Sequence, residues 1–186
     1  FHEIASPDIH VDIFIVEPTA ERNYYTLVTS GMGAHRMNVP KELAEYKLER
    51  AEIVVYLPAD WNISDHEEKN YWPLRWLKIL ARLPLEEDSW LGWGHSVPNG
   101  KPFAENTQLS SVLLINPENV EEGAAVCQLP NGEEVNFYQM IPLYEEEVNF
   151  KIQNGAETLL GKMGEISAVV DIHRLNVCEG FGRPKE

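Results

Sequence analysis

Regular alternation of apolar and polar residues marks the first predicted strand. Within residues 9–17 the apolar positions Ile9, Val11, Ile13 and Ile15 alternate with His10, Asp12 and Phe14. Successive side chains of a strand point to opposite faces, so this pattern predicts a strand with one buried face. A turn is predicted after Pro18, and residues 24–30 then predict a second strand that pairs with the first as a hairpin.

A continuous apolar run at residues 51–57 predicts a central strand, because a strand buried on both faces needs no polar side. Pro58 ends this run. Residues 109–115 predict another strand, and residues 169–172 a last short one. The clearest hairpin joins residues 125–129 to residues 133–143 through Pro130-Asn131-Gly132, whose Asn-Gly pair adopts positive φ at low cost.

Four segments predict helices. Residues 41–50 can form a short one. The next begins near Pro73, which is tolerated in a first turn, and continues to Pro84, with Trp72, Trp76 and Leu80 at helical spacing. Residues 144–153 and 156–163 predict two more, separated by the stop signal Asn154-Gly155.

The order of these elements predicts the fold class. Strands come first, then a helix, strands again and finally helices, without the regular strand–helix alternation of a parallel doubly wound sheet. We therefore expect an α+β fold, in which a mixed, mostly antiparallel sheet packs with two or three helices. No repeat or linker divides the chain, so residues 1–186 are predicted to form a single domain.

Composition narrows the possible partners. The 186 residues are 44% hydrophobic and 24% charged, as expected of a globular protein, and their formal net charge is −15. Such an acidic chain disfavours nucleic acid and anionic membranes as partners and favours a basic protein. No apolar run approaches the roughly 20 residues of a membrane span.

Cysteine usage predicts the compartment. Cys127 and Cys178 lie far apart and form no CxxC motif, which favours a reduced, cytoplasmic setting over a disulfide scaffold or zinc knuckle. Because Cys127 lies on the predicted strand at residues 125–129, we expect it to be a buried apolar residue.

The common catalytic and nucleotide-binding motifs are missing. Gly31-Met32-Gly33 follows a strand, but Arg36 stands where a dinucleotide-binding loop needs its third glycine. The sequence contains no phosphate-binding P-loop and no G-x-S-x-G, and the region of His66 lacks the second histidine of H-E-x-x-H. No catalytic residue and no cofactor are therefore predicted.

Asp8, His10 and Asp12 are the best candidates for a metal site, because alternate residues of a strand project to one face. They offer one alternative function, a metal-dependent or hydrolytic enzyme. Such a trio is more often the solvated face of an edge strand, so no metal is assigned to it.

An aromatic, glycine-rich segment at residues 89–95 offers the best candidate for partner binding. Gly92 and Gly94 flank Trp93 and leave its ring unshielded, and Trp is a frequent anchor in protein interfaces. Trp90, Trp93 and His95 are the predicted contact residues. Two alternatives stay open: the two Trp rings cap the core beside the helix, or the segment serves a structural role in dimerisation.

Several of these segments resemble the Suppressor of fused (SUFU) family, in its bacterial single-domain form. The resemblance covers about residues 24–178 and depends on the order of the segments rather than on any one motif. It is carried by residues 24–32, 50–58, 71–83, 93–95 and 136–147.

This resemblance implies a mixed, mainly antiparallel domain that acts by binding protein, with no catalytic residues to transfer. In animals the family restrains Gli transcription factors by holding an extended peptide between two lobes as an added strand. The present chain has the length of the amino-terminal type of domain alone, so Gli-like recognition is not expected. Bacterial relatives have been proposed as immunity proteins that neutralise toxins, and a charge of −15 would attract a basic toxin.

Overall fold

A computed structural model describes residues 9–118, 120–121, 123–164 and 168–182. Within these residues the main feature is a seven-stranded sheet. Its strands are β1 (Asp12–Val16), β2 (Tyr24–Ser30), β3 (Ala51–Pro58), β4 (Ser96–Pro98), β5 (Ser111–Ile115), β6 (Val126–Gln128) and β7 (Glu134–Leu143). Three α-helices, α1 (Glu68–Glu86), α2 (Glu145–Asn154) and α3 (Ala156–Met163), accompany two short 3₁₀ turns, Met32–Ala34 and Lys41–Tyr46.

The sheet is mixed, as its order β1-β2-β3-β7-β5-β4 shows, with β6 paired to β7 beside this path. Only the β3–β7 pair is parallel among these strands; the others are antiparallel. The predicted α+β class with a mostly antiparallel sheet is therefore confirmed. So are the β1–β2 hairpin and the β6–β7 hairpin, in which Gly132 has a φ of 84°.

Apolar layers cover both faces of the sheet. Alternate residues of β5 belong to different clusters: Val112 and Leu114 join α1 in the larger core, whereas Leu113 and Ile115 pack with α2 and α3. Because alternate side chains point to opposite faces, α1 covers one face and α2 and α3 cover part of the other. This double burial explains the continuous apolar runs of β3 and β5.

Helix α1 begins earlier than the sequence predicts. It starts at Glu68, so Pro73 is its sixth residue rather than part of its first turn. A proline at this position cannot donate to the carbonyl four residues earlier. The side chain of Asn106 donates a hydrogen bond to that carbonyl, on Lys69, at 3.4 Å and replaces part of the missing interaction. None of the described helices is both long and apolar enough to cross a membrane.

Two further local predictions are wrong. Cys127 is exposed, because it lies on the short strand β6 beside the main path of the sheet and outside the three apolar clusters of the described residues. Residues 169–172 form no strand; only Val169 makes an isolated parallel bridge to Tyr56. That the whole chain is one domain stays a prediction.

Candidate functional site

The structure brings Trp90 and His95 into direct contact. Their ring centroids lie 4.3 Å apart at an interplanar angle of 64°. Trp90 is half-buried and packs against the larger core. A β-carbon on Gly92 would lie 2.7 Å from the Trp90 ring, so only glycine fits beneath it. The packing of Trp90 against Gly92, His95 and the core therefore restricts the conformation of this segment.

Trp93, in the same segment, is exposed to solvent over 40% of its surface. Gly94 follows it with a φ of 79°, a left-handed conformation that favours glycine. The Gly94 amide donates to the Leu114 carbonyl at 2.7 Å, and the Leu114 amide donates to the His95 carbonyl at 2.9 Å. The turn that carries Trp93 is thereby anchored to β5, next to β4, the last strand in the order of the sheet.

Two basic side chains of this region, those of His95 and Lys151, have lowered pKa values. Burial lowers the pKa of His95 from 6.5; a hydrogen bond to the Trp90 backbone opposes this shift, and the charge of Lys151 adds to it. Burial also lowers the pKa of Lys151, whose Nζ donates to the Ser96 hydroxyl at 3.2 Å. His95 is therefore mainly neutral near pH 7, and Lys151 connects α2 to β4.

Three acidic residues precede the aromatic segment in the chain. Glu86, Glu87 and Asp88 are exposed at the end of α1, just before Trp90 in the chain. Carboxylates at this position of the chain favour a partner that carries lysines or arginines.

The metal candidates are only partly brought together. His10 Nε2 lies 3.2 Å from Asp12 Oδ1, and their side chains are 50% and 30% exposed. Asp8 lies outside the described residues. Among residues 9–118, 120–121, 123–164 and 168–182, no group of three or more His, Cys, Asp or Glu side chains is placed to hold a metal ion.

The structure contains a second surface that the sequence does not predict. A groove of about 860 Å³ lies along α2 and includes Pro98 of β4, Ile152 and Leu175. Ile152 and Leu175 are 70% and 85% exposed, although both are large apolar residues. The sequence offers only a weak signal for this groove, because Ile152 occupies a helical position that would equally suit a core residue.

Comparison with known proteins identifies the family. The family model for Suppressor of fused protein (SUFU) matches residues 7–175, which is most of the chain. An uncharacterized protein of Ureaplasma parvum is 28% identical over 167 residues, covering 89% of this chain and 78% of that protein.

Solved structures agree on the fold. A SUFU homologue from Neisseria gonorrhoeae matches with a TM-score of 0.68 and 19% identity, covering 95% of this chain and 85% of that one. A Sufu–Fu complex matches with a TM-score of 0.62 and 14% identity, covering 90% of this chain and 77% of the matched chain. Drosophila Suppressor of Fused matches with a TM-score of 0.62 and 15% identity, covering 90% of this chain but only 42% of the Drosophila chain.

Proposed function

Because the chain belongs to the Suppressor of fused family, we propose that it is a non-catalytic protein-binding module whose contact surface includes Trp90, Trp93 and His95. The observation that carries this proposal is the exposed Trp93 ring on a turn fixed by packing and backbone hydrogen bonds. A preorganised aromatic side chain loses little conformational entropy on binding, so it is an efficient anchor. A related Sufu protein is known in complex with Fu, which supports protein binding as the shared activity.

The partner is proposed to be basic. The chain carries a net charge of −15, and three exposed carboxylates precede the aromatic segment. Opposite charge on the partner would raise the association rate and exclude acidic competitors. A bacterial toxin with a basic surface has this chemistry, and neutralising one would make the protein an immunity protein of the cytoplasm. Two free cysteines agree with a reducing compartment.

A binding experiment with matched variants tests the module. The tagged protein is used to isolate its partner from the native host, and the partner is then purified and titrated by calorimetry. Trp93→Ala is expected to weaken binding by roughly 30-fold, the effect of losing about 2 kcal/mol at an interface anchor. Tyr46→Ala is the control, because Tyr46 is a similarly exposed aromatic residue, at 58%, outside the proposed surface. Equal affinities of the two variants would refute the assignment of Trp93.

The immunity role has its own test. If a neighbouring gene encodes a secreted toxin, co-expression of this protein should restore growth, and the Trp93→Ala variant should restore it less. A purified partner that is not a toxin would reject the immunity role and leave the binding module intact. Self-association through Trp93 would instead support dimerisation.

A further inference from the structure

The groove along α2 is a second surface with features of a binding site. It is bounded by the end of β4 and the loop after it, the start of β5, one face of α2 and residues 174–179. Glu145, Val148, Asn149 and Ile152 follow the spacing i, i+3, i+4 and i+7, so a single helix face lines its length. Its volume of about 860 Å³ is enough for several side chains of a peptide.

Two apolar side chains in the groove are exposed without a role in the core. Leu175 is 85% exposed and Ile152 is 70% exposed, more than the other exposed large apolar side chains of the described chain. Covering one such side chain is worth about 1.5–3 kcal/mol. Val148, one helical turn before Ile152, is 7% exposed and continues the apolar surface into the floor of the groove.

The groove is already formed in the free protein. The Arg174 guanidinium donates to both carboxylate oxygens of Glu147, at 2.6 and 2.5 Å, and the Tyr144 hydroxyl donates to the Arg174 carbonyl at 2.5 Å. The Asn176 side chain donates to Glu146 at 3.0 Å. Leu175 is therefore held between two anchored neighbours, and little ordering is needed when a ligand binds.

Charge indicates what the groove would accept. Glu145, Glu146 and Glu179 contribute three carboxylates to its lining, against Lys101 and Arg174. The charge of Arg174 is balanced by Glu147, which is fully buried beneath it. The remaining excess of negative charge around exposed apolar side chains favours an apolar residue flanked by lysine or arginine.

We infer that this groove binds a segment of a partner protein in which a large apolar side chain lies between basic residues. The inference rests on the proposed function, since it adds a second contact to a protein-binding module. The groove and the aromatic segment are close along the chain: Pro98 lines the groove, and Ser96, two residues earlier, follows His95 and is bonded to Lys151 of α2.

A synthetic peptide tests the groove without the native partner. The probe is fluorescein-labelled Lys-Ala-Lys-Leu-Lys-Ala-Lys, titrated with the full chain by fluorescence anisotropy. Replacing its leucine by alanine should weaken binding about tenfold, because the buried apolar area is lost. Replacing its lysines by glutamates should abolish binding, and added salt should weaken it.

Variants of the protein locate the binding. Ile152→Ser and Leu175→Ser should each lower the affinity for the leucine peptide about fivefold or more, since each removes part of the apolar contact. Both variants should leave the affinity for the alanine peptide unchanged. Leu85→Ser is the control, because Leu85 is also a substantially exposed helical residue, at 45%, and does not line the groove. All three positions are exposed, and circular dichroism verifies that each variant is folded.

Several results would overturn the inference. Equal binding of the leucine and alanine peptides would mean general attraction to an acidic protein. Equal effects of Leu85→Ser and Ile152→Ser would place the peptide elsewhere. A dimer that dissociates on Ile152→Ser would make the groove a contact between copies of this chain.

The two proposals fail separately. A native partner that is lost with Trp93→Ala but retained with Leu175→Ser would reject the groove and leave the proposed function standing. Conversely, a native partner that is retained with Trp93→Ala but lost with Leu175→Ser would support the groove and reject Trp93 as the contact residue of the proposed function.

Discussion

Replacing Glu147 by glutamine tests whether the buried ion pair with Arg174 holds the C-terminal segment in place. The Glu147 carboxylate is fully buried, and the Arg174 side chain is only 9% exposed. Besides the two bonds from Arg174, the carboxylate accepts the Tyr144 amide at 3.0 Å and the Val177 amide at 3.1 Å. Glutamine keeps the size and one acceptor oxygen but removes the charge.

The expected loss of stability depends on the partners that Arg174 keeps in the variant. Without the carboxylate, the Arg174 guanidinium is left nearly buried with the Pro142 carbonyl, 2.8 Å away, as a remaining partner. Breaking a buried pair by removing one member typically costs 3–5 kcal/mol. Because Arg174 retains this bond and some access to water, we expect the lower end, about 3 kcal/mol.

Urea unfolding followed by tryptophan fluorescence measures this loss, and the chain has five tryptophans to report it. Arg174→Met should cost a similar amount, about 3 kcal/mol, because it leaves the carboxylate unpaired. The double variant should also lose about 3 rather than about 6 kcal/mol, since the two residues act as one unit. Lys47→Met is the control: its pair with Glu134 is exposed at the lysine, so its loss should destabilise the protein far less than the loss of the buried pair.

A loss below about 1 kcal/mol for Glu147→Gln, or simple additivity in the double variant, would refute this reasoning. The prediction also bears on function, because the pair fixes the segment that carries Leu175. A destabilised pair should therefore weaken peptide binding in the groove even under conditions where the protein stays folded.

Three further measurements test other parts of the structure. Gly31→Ala should destabilise the protein strongly in a thermal melt, because the added β-carbon would lie 2.0 Å from a backbone oxygen and the residue has a φ of 126°. Gly100→Ala is the control: it has open space around it and a φ of 76°, so it should cost only about 1–2 kcal/mol of backbone strain. Equal losses of stability in the two variants would contradict the close contact at Gly31. A thiol reagent should modify exposed Cys127 at once, and buried Cys178, whose pKa is raised by burial, only on unfolding. Burial lowers the pKa of His95 below 6.5, so the folded state binds fewer protons than the unfolded state. The contribution of His95 to stability is therefore present above pH 6.5 and is lost as the pH falls toward the pKa of the folded state. An NMR titration midpoint for His95 at or above 6.5 would contradict this prediction.

The candidate site was partly predictable from sequence. Exposure of Trp93 follows from its two glycine neighbours, since nothing local can shield the ring. Contact between Trp90 and His95 does not follow, because it depends on how the turn docks against β5. The groove was not predictable, since residues 174–179 and α2 are brought together by the pairing of Glu147 with Arg174, 27 residues apart.

Local patterns determined the strands β1, β2 and β3, the β6–β7 hairpin and the helices α2 and α3, because side-chain periodicity and turn residues act over a few neighbouring positions. Tertiary structure alone decided the parallel pairing of β3 with β7, the start of α1 before Pro73 and the exposure of Cys127. Each of these depends on what packs against a segment from far along the chain. Short-range preference cannot specify such contacts, since many distant segments offer similar apolar or hydrogen-bonding surfaces.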